Sequence, residues 1–343
     1  SSALASPMGN YGSINNRGLE ISLNTKNLKG EFSWSSDFQI SFNKNKLTAL
    51  DGTASAHIEG YGQWSDVVTV TKVGEPLYNF YGYKVIGVYK DLEDLQNSPK
   101  AEKYPTNGVF NRSNTTWVGD LKYADLSGPD GVPDGIINTY DRTNIGSPMP
   151  TFTFGFNNTF NYKNFDLNIF LNGSYGNKVM NYASINFSNM LTAWNNQMSV
   201  VNDRALLEPV NPTKTYPASV NGVVVNNWFE DITNVRVKNP DTDIPRAIFN
   251  DPNDNDRISD RYIEDGSYLR IKNIALGYTL PNAISQKWRF EQVRLYVNIQ
   301  NLHTFTNYTG YDPEIGVSTA SANVYGLDNG RYPSPRVYSA GIN

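Results

Sequence analysis

Phe32-Ser-Trp-Ser-Ser-Asp-Phe-Gln-Ile-Ser-Phe42 alternates apolar and polar residues along almost its whole length. Even positions hold Phe32, Trp34, Phe38, Ile40 and Phe42, broken once by Ser36, while Ser33, Ser35, Asp37, Gln39 and Ser41 fill the odd ones. Successive side chains of a strand point to opposite faces, so this stretch reads as a strand with one oily face and one polar face. The pattern recurs. Phe152, Phe154, Phe156, Phe160 and Tyr162 alternate with Thr151, Thr153, Asn157, Thr159 and Asn161, and Phe165, Leu167, Ile169 and Leu171 with Asp166, Asn168 and Asn172. Leu19, Ile21 and Leu23 face away from Glu20, Ser22 and Asn24, as Val293, Leu295, Val297 and Ile299 do from Arg294, Tyr296 and Asn298.

A soluble sandwich also alternates, so length and bulk decide. These runs reach roughly ten residues, the span a tilted strand needs to cross a bilayer's hydrocarbon, whereas ordinary strands have about five or six. Large aromatics close several runs at both ends, as in the girdles of outer-membrane barrels. The expectation is an all-β chain: part of a transmembrane antiparallel β-barrel.

The connections point the same way. Asn27 to Gly30 and Tyr162 to Asn164 are tight turns, Pro281 to Glu291 is a moderate link, and the segments 44–150, 175–266 and 304–335 are very long. Barrels of this type have short periplasmic turns and long outside loops. Strands near 17–26, 31–43, 151–162, 164–174, 267–280, 291–303 and 336–343 then alternate in direction, with every long segment outside. The strand at 267–280 breaks parity, because Arg270 and Lys272 share the side that later carries Ile274, Leu276 and Tyr278. A bulge near Asn273 would restore the faces. Seven strands do not close a plugged barrel of about 22, and an open sheet in lipid would leave backbone groups unpaired. The chain is therefore expected to be one part of a larger wall.

Composition excludes other classes. Net charge is -4 with the basic residues dispersed, which argues against nucleic acid. There is no cysteine for a disulfide or a thiolate metal site. The two histidines, His57 and His303, lie far apart, so a histidine-based catalytic set or zinc site is not expected. No phosphate-binding glycine motif is present. No residue set marks the chain as an enzyme.

A co-linear series of motifs resembles one family: Asn16-Arg-Gly-Leu-Glu-Ile21, Asn43-Lys-Asn-Lys46, Tyr81-Gly-Tyr-Lys84 with Gly87, Asp141-Arg-Thr143 with Ile145-Gly146, Glu264-Asp-Gly-Ser-Tyr-Leu-Arg-Ile-Lys-Asn273, Leu276-Gly-Tyr-Thr-Leu-Pro281, and Asn301-Leu302 leading to Gly310-Tyr-Asp-Pro-Glu314. Together they resemble the C-terminal barrel region of SusC/RagA-type TonB-linked outer-membrane transporters of Bacteroidota, over nearly all of residues 1–343. The resemblance implies about seven strands of a 22-stranded barrel with long extracellular loops. It also implies an N-terminal plug, first barrel strands and a TonB-contacting segment outside this chain, a SusD-like lipoprotein lid, and import of oligosaccharides or oligopeptides. The family usually runs a few residues past Asn343 to a terminal aromatic, so a short continuation is expected.

Two sets of site residues stand out. In Asp125-Leu-Ser-Gly-Pro-Asp-Gly-Val-Pro-Asp-Gly-Ile-Ile-Asn-Thr-Tyr-Asp141, the residues Asp130, Asp134, Asn138 and Asp141 take the first, fifth, ninth and last places of a calcium loop, with Gly135 at the bend. Val132 falls where a ligand should be, and an Asx-rich turn satisfied by its own side chains is the plainer reading. The loop aromatics Trp194, Tyr216, Trp228 and Phe229 could stack on substrate or meet a lid, or pack the loop against its neighbours. Asp254 to Asp256 read as solvated loop charges. Outside the importer class, a soluble extracellular glycan-binding β-protein or a surface glycan hydrolase would fit the composition. Only the importer requires detergent, and only the hydrolase requires a carboxylate pair, which nothing in the sequence singles out.

Overall fold

The computed structural model describes residues 11–343 apart from 53–55, 192–194, 217, 221–222, 226 and 317–322, with the backbone alone over 218–220 and 223–225. Seven long strands make one sheet: β1 (Gly12–Leu28), β2 (Phe32–Leu50), β3 (Phe152–Tyr162), β4 (Phe165–Tyr175), β5 (Tyr268–Thr279), β6 (Arg294–Thr306) and β7 (Val337–Ile342). Each pairs antiparallel with its neighbour in the chain, in that order. The seven expected strands are all present. β1 and β2 run further than expected, to Gly12 and Leu50, because their ladder continues past the oily segment into polar residues that no longer alternate. Among the described residues no helix is long and apolar enough to cross a membrane.

Register joins the oily faces into continuous rows. Trp34 pairs with Phe160, Phe160 with Leu167, Leu167 with Leu276, Leu276 with Val297 and Val297 with Ala340. Aromatic rings knit β2 to β3, with Trp34–Phe160 centroids 5.8 Å apart and Phe38–Phe156 6.1 Å. Such contacts contribute about 0.5–1.5 kcal/mol beyond area burial. The face stays uncovered: Leu19, Ile21 and Leu23 are 58%, 47% and 55% exposed. Ser36 breaks the pattern on β2, and it sits opposite Asn158, which breaks it on β3. Ser36 Oγ and Trp34 Nε1 both donate to Asn158 Oδ1, at 2.8 and 3.0 Å, so the two polar intruders satisfy each other.

The irregular strand contains a bulge, one residue from the expected place. Ile271 and Asn273 pair with Leu171 and Phe170 on β4 and with His303 and Gln300 on β6, leaving Lys272 unpaired. The extra residue resets the faces. Ile271 and Ile274 both join the oily rows, and Arg270 turns to the polar side. The short connections match the sequence reading: Lys163 adopts φ 51° in the two-residue turn from β3 to β4, and Gly30 takes φ 139° between β1 and β2. At the other end the connections are long and folded, and the last of them meets the polar face, where Arg270 bonds Asp312 and Glu314.

Candidate functional site

The three outside segments pack into a common body. One core cluster takes Val68 and Phe80 from the first segment, Met180, Tyr182, Ile258 and Tyr262 from the second, and Val324 and Leu327 from the third. A second gathers Val88, Trp117, Leu121 and Tyr123 with Ala205, Val235 and Val237. Backbone ladders add to this: residues 178–181 pair antiparallel with 263–265 and parallel with 327–328. Burying each large apolar side chain contributes about 1.5–3 kcal/mol, so the loops are held by their own cores.

Charged side chains frame the body. Arg246 and Asp120 form a fully buried pair, with Nε at 2.7 Å and Nη2 at 3.1 Å from the two carboxylate oxygens. Asp120 also accepts from the Trp117 amide at 2.8 Å and from Asn255 Nδ2 at 3.2 Å. Nearby, Asp251 accepts from the amide and side chain of Asn255, both at 2.5 Å. Asn250 and Asp254 take positive φ in this Asn/Asp-rich turn, which those residue types tolerate. Burial, with the charges of Asp120, Asp256 and Asp254, pushes the Asp251 carboxyl up to about 7. Arg270 anchors the third segment to the wall: it donates to Thr304 Oγ1 at 2.8 Å, Glu314 at 2.7 Å and Asp312 at 2.5 Å.

Between the first and second segments lies a polar cleft of about 460 Å³. Trp64 forms one wall, stacked on buried Tyr182 at 5.0 Å between centroids. The Tyr182 hydroxyl donates to Asp66 at 3.0 Å, and a side chain at Gly62 would collide with that hydroxyl. The platform is therefore rigid. Opposite it, Asp254, Asp256 and Glu102 face Arg257, whose guanidinium rests 4.8 Å over both the Tyr83 and Tyr123 rings. Burial, then the neighbouring Asp254 charge, raises the Asp256 carboxyl. An aromatic face beside carboxylate acceptors suits a ligand with a C–H face and hydroxyl or amine donors. The sequence reading missed this site, since Trp64, Asp66 and Arg257 come together only through tertiary packing. It also took Asp254 to Asp256 as plain solvated charges, whereas Asp256 is half-buried in the cleft.

The expected site residues fall elsewhere. Tyr216, Trp228 and Phe229 come together around Asp231: the Tyr216 hydroxyl donates to it at 2.9 Å, and Trp228 and Phe229 meet edge to face at 5.9 Å. Burial opposes ionisation there, but bonds from Lys214, Thr233 and Tyr216 hold the Asp231 carboxyl down at about 2. Trp228 packs against the second core, which gives it a structural task. Trp194 lies outside the described residues. In the 125–141 turn, Asp141 is buried and accepts from the amides of Leu126, Ser127 and Asn138, while Asn138 caps the amide of Tyr140. Asp130 and Asp134 stay exposed. These four do not converge on one point, and among the described residues no three acidic or histidine side chains group to hold a metal. As folded, the donors do not fit calcium.

No family model matches the chain. It is 35% identical to TonB-dependent receptor P3 of Formosa agariphila over 350 residues, covering 100% of this chain and 30% of that protein. TonB-dependent receptor P26 of the same organism is 30% identical over 98% of the chain, and TonB-dependent receptor SusC of Bacteroides thetaiotaomicron 23% identical over 97%. The chain spans between a quarter and a third of the length of these relatives, 26% to 30%. Among solved structures, the RagAB peptide transporter superposes with a TM-score of 0.64 at 19% identity, over 97% of this chain and 29% of that one. That likeness concerns the fold: the seven strands are a section of such a barrel wall.

Proposed function

The chain is similar along its whole length to TonB-dependent receptors, and from that premise we propose that it belongs with the SusC/RagA type and that its parent protein imports nutrients across an outer membrane. The observation that carries the reading is the uncovered row of apolar side chains running across all the paired strands, with every long segment folded at one end. In this role the oily face holds the wall in lipid, and the polar face lines the lumen. The plug and TonB-contacting segment belong to the rest of the parent, whose C-terminal barrel this chain supplies. Import is driven through TonB, and the location is the outer membrane of a Bacteroidota-type cell.

The structured outside body gives a lid a firm surface, which supports a SusD-like surface lipoprotein as partner. Trp64, Asp66, Asp256 and Arg257 are the residues of this segment that we assign to substrate contact. Their chemistry admits an oligosaccharide or an oligopeptide, and the peptide in RagAB's name belongs to that protein. The kinship supports a transport role over a catalytic one.

The test is to extract the parent from outer membranes in mild detergent and identify what co-purifies. A stoichiometric lipoprotein and a bound oligomer are expected. A protein soluble without detergent, arriving alone, would overturn import in favour of a soluble glycan binder.

A further inference from the structure

The apolar face does not end with the wall strands. The link from β5 to β6 folds as a short helix, Asn282–Ser285, running into a 3-10 turn, Gln286–Trp288, and is closed by Arg289 at φ 61°. Ser285 is buried, and its carbonyl accepts from the Phe290 amide at 3.0 Å, so the turn has a fixed shape. That shape drives its largest apolar residues outward. Trp288 is 74% exposed, Phe290 54% and Ile284 47%.

These three line an apolar groove of about 410 Å³ that also includes Ile342 of β7. Ile342 in turn shares a second apolar hollow with Leu295 and Val297 on the oily face, so groove and wall are one surface. Two cations interleave with the aromatics: Lys287 precedes Trp288, and Arg289 separates it from Phe290. Both are exposed, and neither has an ion-pair partner among the described residues. Tryptophan at the water–hydrocarbon boundary with cations beside it is the arrangement that phospholipid headgroups favour.

We propose that the 281–290 turn is a membrane foot, with Trp288 and Phe290 at the glycerol level of the periplasmic leaflet and Lys287 and Arg289 on the phospholipid phosphates. Continuity with the oily face identifies lipid as the occupant, and the unpaired cations set its charge. The inference rests on the wall lying in a bilayer, and the experiment separates the two.

The parent protein is reconstituted in phosphatidylethanolamine–phosphatidylglycerol bilayers containing lipids brominated either near the headgroup or near the chain end. Emission from Trp288 is taken as the difference between wild type and Trp288→Phe, and emission from Trp34 as the difference from Trp34→Phe. Quenching of Trp34 reports that the wall is in lipid. The foot requires Trp288 to lose emission to the shallow bromines more than to the deep ones. It also requires the double variant Lys287→Gln/Arg289→Gln to weaken that loss when phosphatidylglycerol is present. Trp34 quenched while Trp288 answers only to aqueous acrylamide would overturn the foot and leave the wall standing. Trp288 shielded from both quenchers would also overturn it, because protein rather than lipid would then fill the groove.

Discussion

Arg294 and Asp166, two strands apart in the wall, meet in a two-pronged ion pair that passes over Gly277. Arg294 Nε and Nη2 lie 3.0 and 2.5 Å from the two Asp166 oxygens. Gly277 pairs with Asp166 on one side and Tyr296 on the other. A methyl there would sit 2.3 Å from Arg294 Nη2 and 2.4 Å from Asp166 Oδ1. The glycine leaves the space the pair crosses, and a side chain there would push the ends of Arg294 and Asp166 aside.

Gly277→Ala in the parent protein should therefore lower the temperature at which the folded barrel loses its compact gel mobility. The colliding atoms are the ends of two flexible side chains, so the cost falls at the low end of overpacking, about 1 kcal/mol. Asp166→Asn should cost less, since the pair is about a third exposed and such pairs contribute about 0–1 kcal/mol. A Gly277→Ala barrel as stable as wild type would show that the pair yields easily.

Deleting Lys272 removes the unpaired residue and leaves Arg270, Ile271, Asn273 and Ile274 in strict alternation, with Arg270 still on the polar side. We expect normal insertion, read as the fraction of heat-modifiable protein in outer-membrane fractions. Ile271→Arg instead puts a charge into the oily row, where arginine costs about 2–4 kcal/mol near the midplane and less toward the interfaces, and should insert poorly.

Arg270 holds the third outside segment through Asp312 and Glu314. Arg270→Ala strands Asp312, which is buried, and removing one partner of such a pair costs about 3–5 kcal/mol. Limited proteolysis should then cut within 307–335 while the wall stays intact. Arg270→Lys should rescue only partly, because an ammonium does not reproduce the guanidinium fork on three acceptors.

The Asp120–Arg246 pair makes a related prediction with a different control. Arg246→Met should destabilise the outside body strongly, whereas Asp120→Asn with Arg246→Met should be milder, because no charge is then left buried alone. Protease susceptibility of 112–125 and 240–257 is the readout.

Asp251 makes the outside body sensitive to acidity. Its folded carboxyl titrates at about 7, above the ordinary 3.8. Stability from this group is complete below about 4 and is lost as pH rises through about 7, where an ionised carboxylate must be buried. Protection of 250–257 from proteolysis should decline over that interval, and in Asp251→Asn the decline should shrink to the part left by Asp256, whose carboxyl burial also raises. A wild-type profile that rises with pH would contradict the assignment.

How far the structure could be read from the sequence depends on the range of the forces involved. Alternation is local, so Phe32–Phe42 and Phe165–Leu171 announced their strands, and the parity break at Arg270 and Lys272 announced a bulge. Even Ser36 and Asn158, each an anomaly in its own strand, became intelligible once register placed them together. The outside body was different. Asp120 finds Arg246 across 126 residues, and no periodicity records that. The cleft was hidden for the same reason: Tyr182 must arrive under Trp64 before that ring becomes a platform. The 125–141 turn shows the limit of spacing as a guide, because Asp141 turned its oxygens inward to amides.

The close fit between Gly60 and the third outside segment bears on ancestry. A methyl on Gly60 would come 2.3 Å from the Asn323 carbonyl oxygen, and Thr69 bonds that same oxygen at 2.9 Å. Wall strands can diverge one by one wherever their register survives. The outside segments lack that freedom, since reshaping the tip of one leaves the others without a mate. Changes to the outside body should then arise by inheriting the three segments together as a cassette, with recombination breakpoints falling in the wall and sparing the body above it.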